Sequence, residues 1–110
     1  MTDHRLEVLA ALAEEIAAKK SASPETSYTA KLISKGVEKC AAKLGEEAVE
    51  TALAAVLKDK AHVTAEAADL LYHLLVLLEA SDVPLADVMG ELARRQGVSG
   101  IAEKASRAKG

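Results

Sequence analysis

Apolar residues recur along most of this chain in steps of three and four, which is the spacing of one face of an α-helix. The first such stretch covers roughly residues 3–19, and the second covers about residues 29–57. The third, about residues 61–80, is apolar nearly all round, and the fourth runs from about residue 84 to residue 97. Because a helix that is apolar on every side has to be covered, the third stretch is expected at the centre of a bundle.

Polar segments separate these stretches. Residues 20–28 (KSASPETSY) carry Ser, Pro and Thr without periodicity and predict a linker. Residues 58–60 predict a short turn, and residues 81–84 predict the next break. Inside the second stretch, two glycines each disfavour a helix by about 1 kcal/mol relative to Ala. We therefore expect a kink at Gly36 or a close helix contact at Gly45.

Composition favours the same helical interpretation. Half of the 110 residues are apolar, chiefly Ala, Leu and Val, and Tyr28 and Tyr72 are the only aromatic residues. Strands favour β-branched and aromatic side chains, so the prediction is an all-α four-helix bundle. Residues 1–97 make up its single domain, and residues 98–110 form a polar tail that is either flexible or ordered by a ligand. Because Ala-lined helices bury little surface, we expect a homodimer to complete the core.

Charge and cysteine content exclude several classes of partner. A net charge of −3 and a pI of about 5.6 argue against a nucleic acid or an anionic membrane. The single cysteine, Cys40, fits a reducing compartment and is interpreted as a buried structural thiol. The first residues do not resemble a signal peptide, and the apolar run at residues 74–78 is too short to span a bilayer. The sequence therefore predicts a cytoplasmic protein without a membrane partner.

Carboxylates are concentrated in two short segments, GEEAVE at residues 45–50 and EAAD at residues 66–69. At 100° per residue, the three glutamates of the first segment fall within an arc about 100° wide. Fifteen residues separate the two segments, and the turn at residues 58–60 divides them into nearly equal arms. An antiparallel helix pair then places both segments at one height. The carboxylates of this predicted cluster are Glu46, Glu47, Glu50, Glu66 and Asp69.

This arrangement is unfavourable without a cation. Like charges one helical turn apart cost about 0.2–0.5 kcal/mol per pair even in the open, and bringing two such groups together adds to the repulsion. Hard oxygen ligands suit Mg²⁺ or Mn²⁺, which bind substrate phosphates at the same time. The chain lacks the Cys and His set that zinc would need. The alternative is that these carboxylates are ordinary solvated helix residues.

Two further features carry both a structural and a functional interpretation. Lys31, Lys35, Lys39 and Lys43 recur every four residues upstream of the acidic segment. Such a stripe is usually a solvated face, and the alternative is that it neutralises an arriving polyphosphate. His73, one turn after Asp69, is either a hydrogen-bonded core or interface histidine or a member of the site.

These motifs resemble a known superfamily. The pattern EExxE, fifteen residues and then ExxD is similar to the motif of the all-α NTP pyrophosphohydrolases (MazG-like proteins), in which such carboxylates bind magnesium. Much more of the chain resembles one family within it, the phosphoribosyl-ATP pyrophosphohydrolases of histidine biosynthesis. This chain departs from the family pattern at Pro84. Many members of the family instead begin the last helix with a Ser cap followed by an acidic residue. The similar segments are SYTAKL (27–32), KGVEKCAAKLGEEAVE (35–50), EAADLLYHLLVLL (66–78) and SGIAEKASR (99–107).

The resemblance implies hydrolysis of 1-(5-phosphoribosyl)-ATP to 1-(5-phosphoribosyl)-AMP and pyrophosphate, the second step of histidine biosynthesis. It implies that Glu47, Glu50, Glu66 and Asp69 ligate Mg²⁺ or Mn²⁺. Glu46 would be a further ligand or the base that orients the attacking water, a catalytic role for which Glu47 is also a candidate. Weaker candidates for phosphate contacts are Lys35, Lys39 and Lys43 with Lys104 and Arg107 of the tail.

Two other functions remain open at this point. A general nucleoside-triphosphate pyrophosphatase that removes damaged or excess nucleotides would share the metal site and differ in its base and sugar pocket. A non-enzymatic helical partner protein would use the acidic face only to stay soluble. The first predicts a preference for dUTP or a modified nucleotide, and the second predicts no dependence of metal binding on Glu50 and Asp69.

Overall fold

The computed structural model describes residues 4–97 and 100–109, and all regular structure in these ranges is helical. This confirms the all-α prediction. Residue 3 of the predicted first helix and residues 98, 99 and 110 of the predicted tail lie outside the described residues. After a 3₁₀ turn at His4–Leu6, the helices are α1 (Glu7–Lys19), α2 (Tyr28–Ser34), α3 (Val37–Val56), α4 (Lys60–Ala80), α5 (Leu85–Arg95) and α6 (Gly100–Lys109).

Helix α4 lies at the centre of the fold and contacts α1, α2 and α3. Its most extensive contact is with α3, which precedes it in the chain and is joined to it by a short turn. The two helices run antiparallel. Lys58 makes this turn with a left-handed φ of 60°. The side chain of Asp59 then caps α4 by accepting a hydrogen bond of 3.0 Å from the backbone N–H of His62. The predicted turn and helix pair are therefore confirmed.

Gly36 divides the second predicted helix into two. Its φ of 96° and ψ of 167° belong to a region that essentially only glycine adopts. Helix α2 ends before this residue, and α3 begins after it in a new direction. The periodic pattern continues across the break because both helices pack against α4. The close contact considered for Gly45 is wrong, because a Cβ atom there would have no heavy atom within 4 Å.

The core is small and lies around the C-terminal half of α4. Its buried members come from α1, α2, α3 and α4, and they are Ile16, Leu32, Cys40, Leu75 and Val76. The thiol of Cys40 donates a hydrogen bond of 3.4 Å to the carbonyl of Leu32, which joins the two helices on either side of Gly36. Burial raises the pKa of the Cys40 thiol. Cys40 is thus the buried structural thiol that the sequence predicted.

Helix α4 is also long and apolar enough to cross a membrane, judged by length and composition alone. Core helices of soluble proteins have the same two properties. The helix packs on α1, α2 and α3 and carries Glu66 and Asp69 within its length. A single chain covers only part of its surface, and Leu71 remains exposed.

The backbone at Gly36 predicts a large difference between two glycine substitutions. Gly36→Ala is expected to destabilise the protein by about 1–3 kcal/mol, because alanine is strained at this φ and ψ. Gly45→Ala is the control, since it adds a methyl group to a helix interior with open space around it. It is expected to stabilise by about 0.5–1 kcal/mol. Urea unfolding measures both changes, and equal effects would contradict this account of the break.

Candidate metal centre

Helices α3 and α4 bring three of the predicted carboxylates together. Glu47, Glu66 and Asp69 each offer one oxygen, and these oxygens lie within 4.8 Å of one another. Glu47 and Glu66 are partly buried at the helix–helix seam, whereas Asp69 is exposed. The short turn between the helices sets their relative height. We call these three residues the acidic cluster.

Glu50 lies against the same cluster. Hydrogen-bond contact with Glu50, and then with Glu47, raises the pKa of Glu66 from an ordinary 4.5 to about 7, with burial and charge repulsion adding to the shift. In the absence of a cation, one proton on Glu66 therefore relieves the repulsion between the two helices. Glu50 itself is exposed, one turn after Glu47 on the same helix.

Two oxygens of the cluster have no partner. Oε2 of Glu47 and Oε2 of Glu66 are inaccessible to solvent, and neither finds a hydrogen-bond donor within the described parts of the chain. The side chain of Glu66 is only 15% exposed. Buried carboxylate oxygens are costly unless a donor or a cation satisfies them. The arrangement therefore fits a hard divalent cation, which oxygen ligands of this kind bind.

Glu46, the candidate base, points elsewhere in this structure. Its Oε2 lies 3.2 Å from Nζ of Lys43, and its side chain is 60% exposed. Contact with Glu46, and weaker attraction from Tyr28 and Glu47, raises the pKa of Lys43. Lys43 is therefore the one lysine of the predicted stripe, among those described, that the structure pairs with a carboxylate of the GEEAVE segment.

The rest of the predicted cationic set is spread over three helices. The break at Gly36 leaves Lys31 and Lys35 with α2, while Lys39 lies on α3 together with Lys43. Lys31, Lys35 and Lys39 are all exposed. Lys104 and Arg107 are exposed on α6. The lysine series thus does not run along one helix as its spacing suggested.

Sequence reasoning missed His62, which the structure places beside the cluster. Its Nε2 lies 3.3 Å from Oε1 of Glu66, one helical turn further along α4. The signal was present in the sequence, because residues four apart on a helix are neighbours. His62 lies next to the turn and outside the EAAD segment, so the carboxylate motif does not include it.

The SYTAKL segment anchors α2 to α4. Ser27 caps α2 by accepting a hydrogen bond from the backbone N–H of Ala30 at 3.1 Å. The buried hydroxyl of Thr29 is hydrogen-bonded to the hydroxyl of Tyr72 at 2.5 Å. Tyr28 stacks on Tyr72 with ring centroids 6.5 Å apart. Most of this segment therefore has a structural role.

His73 is buried, with 6% of its surface exposed. Its ring meets the edge of Tyr72 at a centroid distance of 5.1 Å. Its Nδ1 finds no hydrogen-bond partner among the described residues. A buried histidine against an aromatic ring matches the core interpretation, although Nδ1 lacks the hydrogen bond expected of a core histidine among the described residues.

The fold and the cluster together define a class: an all-helical protein with a carboxylate centre between two antiparallel helices. A comparison with family models makes the assignment specific. The phosphoribosyl-ATP pyrophosphohydrolase model matches residues 9–96, so the chain belongs to this family.

Similar proteins agree with the family. The chain is 62% identical to the phosphoribosyl-ATP pyrophosphatase of Dinoroseobacter shibae, over 93% of this chain and all of that protein. It is 66% identical to the phosphoribosyl-ATP pyrophosphatase of Paracoccus denitrificans, over 87% of this chain and 89% of that protein. The protein of the same name from Cereibacter sphaeroides is 59% identical over 93% and 99% of the two chains. The chain is thus an enzyme of the hydrolase class.

The raised pKa of Glu66 predicts an unusual pH dependence for the metal-free protein. Between pH 4.5 and about 7, folded Glu66 keeps a proton that the unfolded chain has released. The stability that this proton contributes is therefore complete below the ordinary pKa of a glutamate, and it is lost as pH rises through this window. Thermal unfolding in the presence of a chelator should show a melting temperature that falls over the same range.

Two variants isolate this effect. Glu66→Gln should remove the fall, whereas Glu25→Gln, at an exposed glutamate of the linker, should retain it. A hydrogen bond from Arg94 lowers the pKa of Glu91 to about 2, so this group acts below the window and in the opposite direction. An unchanged slope in Glu66→Gln would refute the assignment.

Proposed function

We propose that the protein catalyses the Mg²⁺-dependent hydrolysis of 1-(5-phosphoribosyl)-ATP to 1-(5-phosphoribosyl)-AMP and pyrophosphate, the second step of histidine biosynthesis. The carrying observation is the meeting of Glu47, Glu66 and Asp69 with two buried oxygens that lack a donor. Membership of the phosphoribosyl-ATP pyrophosphohydrolase family supports the choice of substrate. The proposed setting is the cytoplasm, with neither nucleic acid nor membrane as partner.

Four carboxylates hold the ion in this proposal: Glu47, Glu50, Glu66 and Asp69. The donor set is made of oxygens, which favours Mg²⁺ and also admits Mn²⁺. When bound, the ion supplies positive charge that neutralises the polyphosphate as pyrophosphate leaves. The carboxylates fix its position at the seam between α3 and α4.

The proposal also gives roles to Glu46 and Lys43, and it requires Glu46 to turn from Lys43 toward the acidic cluster. In the proposal Glu46 orients the attacking water and accepts its proton, while Glu47 serves chiefly as a ligand. In the structure Oε2 of Glu46 lies 3.2 Å from Nζ of Lys43. Lys43 then contacts a substrate phosphate. Weaker phosphate contacts are assigned to Lys35, Lys39, Lys104 and Arg107.

We further propose that two copies complete a four-helix bundle. Along α3, Val49, Leu53 and Val56 are spaced as one face, and they are 60%, 58% and 75% exposed. Leu71 on α4 is a further large apolar side chain that the single chain leaves exposed. A face of this kind on the two central helices favours burial against a second copy.

The ligand assignment is tested by removing two carboxylates singly. Glu50→Gln and Asp69→Asn should each lower kcat/KM for phosphoribosyl-ATP by about 100-fold or more, because charge stabilisation by the ion is the main catalytic effect. Calorimetry should show weaker Mg²⁺ binding by both. Glu38→Gln is the control, since it removes an exposed carboxylate at the start of the same helix α3.

A substrate panel completes this test. Hydrolysis of dUTP or a modified nucleoside triphosphate in preference to phosphoribosyl-ATP would replace the proposal with a general pyrophosphatase. Metal binding that is unaffected in both variants would indicate a solubilising acidic face and a different active centre.

The dimer proposal predicts a specific difference between two leucines. Leu53→Glu should convert the dimer to a monomer at micromolar concentration, because a charge at the centre of the apolar face cannot be buried without cost. Leu92→Glu on α5, at a leucine that is 52% exposed, is the matched control and should stay dimeric. Sedimentation equilibrium measures the mass, and circular dichroism checks that the helices are retained. A wild-type monomer would contradict the proposal.

A further inference from the structure

His62 lies beside the acidic cluster, one helical turn before Glu66 on α4. Its Nε2 lies 3.3 Å from Oε1 of Glu66. The second oxygen of the same carboxylate, Oε2, is shielded from solvent and has no hydrogen-bond partner among the described residues. One oxygen of Glu66 is thus occupied by the imidazole, and the other is left for a ligand.

The backbone around His62 is fixed before the side chain makes this contact. The carboxylate of Asp59 accepts a hydrogen bond of 3.0 Å from the backbone N–H of His62, which locks the first turn of α4. The imidazole then reaches one turn along the helix to Glu66, because side chains four residues apart on a helix are neighbours. The side chain of His62 is 50% exposed, so the fold does not depend on its burial.

We propose that His62 is a positioning residue, which holds the carboxylate of Glu66 in the orientation that binds the divalent ion. The inference rests on the metal site of the proposed function. Groups that contact a ligating carboxylate from outside typically change metal affinity by about 10–100-fold when removed. The reason is that a ligand fixed before binding loses less rotational freedom when the ion arrives.

The structure favours positioning over direct ligation by the imidazole. The oxygens that lie within 4.8 Å of one another belong to Glu47, Glu66 and Asp69, and Nε2 of His62 already lies against Oε1 of Glu66. The two roles also differ chemically. An imidazole ligand binds Mn²⁺ and later transition ions in preference to Mg²⁺, whereas a carboxylate held from outside serves both ions equally.

Three variants separate these roles. His62→Ala removes the contact, and His62→Gln restores an N–H donor that reaches Glu66 from the same position. Lys60→Ala is the control, because it removes another side chain from the first turn of α4. Calorimetry at one fixed pH gives the dissociation constants of Mg²⁺ and Mn²⁺ without substrate. Thermal unfolding in a chelator reports any loss of structure.

Removal of the imidazole is expected to weaken Mg²⁺ and Mn²⁺ binding by a similar factor of about tenfold or more, with unchanged metal-free stability. His62→Gln and Lys60→Ala should stay within about threefold of the wild type. Unchanged binding in His62→Ala would overturn the proposal, and loss of Mn²⁺ affinity alone would replace it with direct ligation. A wild-type protein that binds neither ion would refute the proposed metal centre itself, which is a separate outcome.

Discussion

Mutual repulsion among carboxylates at the α3–α4 seam is the constraint on which the site depends. The antiparallel pair brings Glu47 and Glu50 against Glu66, and the consequence is a pKa of about 7 for a group that ordinarily titrates near 4.5. A helix pair selected for stability alone would place apolar or oppositely charged residues there. The unfavourable arrangement makes sense when a cation is part of the working protein, as the proposed function requires.

Helix α4 separates this polar site from the core along its own length. Its buried residues His73, Leu75 and Val76 lie in the C-terminal half, where α1, α2 and the start of α3 pack around them. Glu66 and Asp69 lie in the N-terminal half. The core can therefore hold the helix in place without desolvating the carboxylates completely, and one side of the acidic cluster remains open to a phosphate-bearing substrate.

The sequence was sufficient to predict the acidic cluster, because the position of the turn and the period of the helix determine it. The turn at residues 58–60 fixes the height of Glu47 against Asp69, and 100° per residue fixes which side chains share a face. It was insufficient for Glu46, which lies at the edge of that arc. A small rotation of α3 decides whether such a residue faces the seam or its neighbour Lys43, and tertiary packing sets that rotation. A kink at Gly36 was one of the two outcomes expected from the glycines. Periodicity could not choose between them, because it records which side of a helix is apolar and does not record a change of backbone direction.

Binding of an ion at the α3–α4 seam would also stabilise the folded chain. The folded chain holds its ligands together, whereas the unfolded chain does not, so any cation bound by the cluster stabilises the fold by mass action. The proton on Glu66 competes with that cation for the same oxygens. The cluster is thus satisfied either by a proton or by an ion. The turn at Lys58 and the cap at Asp59, which lie outside the cluster, join α3 to α4 in both cases. In the proposed function, a framework that stays fixed while its charge is exchanged would let the seam accept a polyphosphate and release pyrophosphate without unfolding.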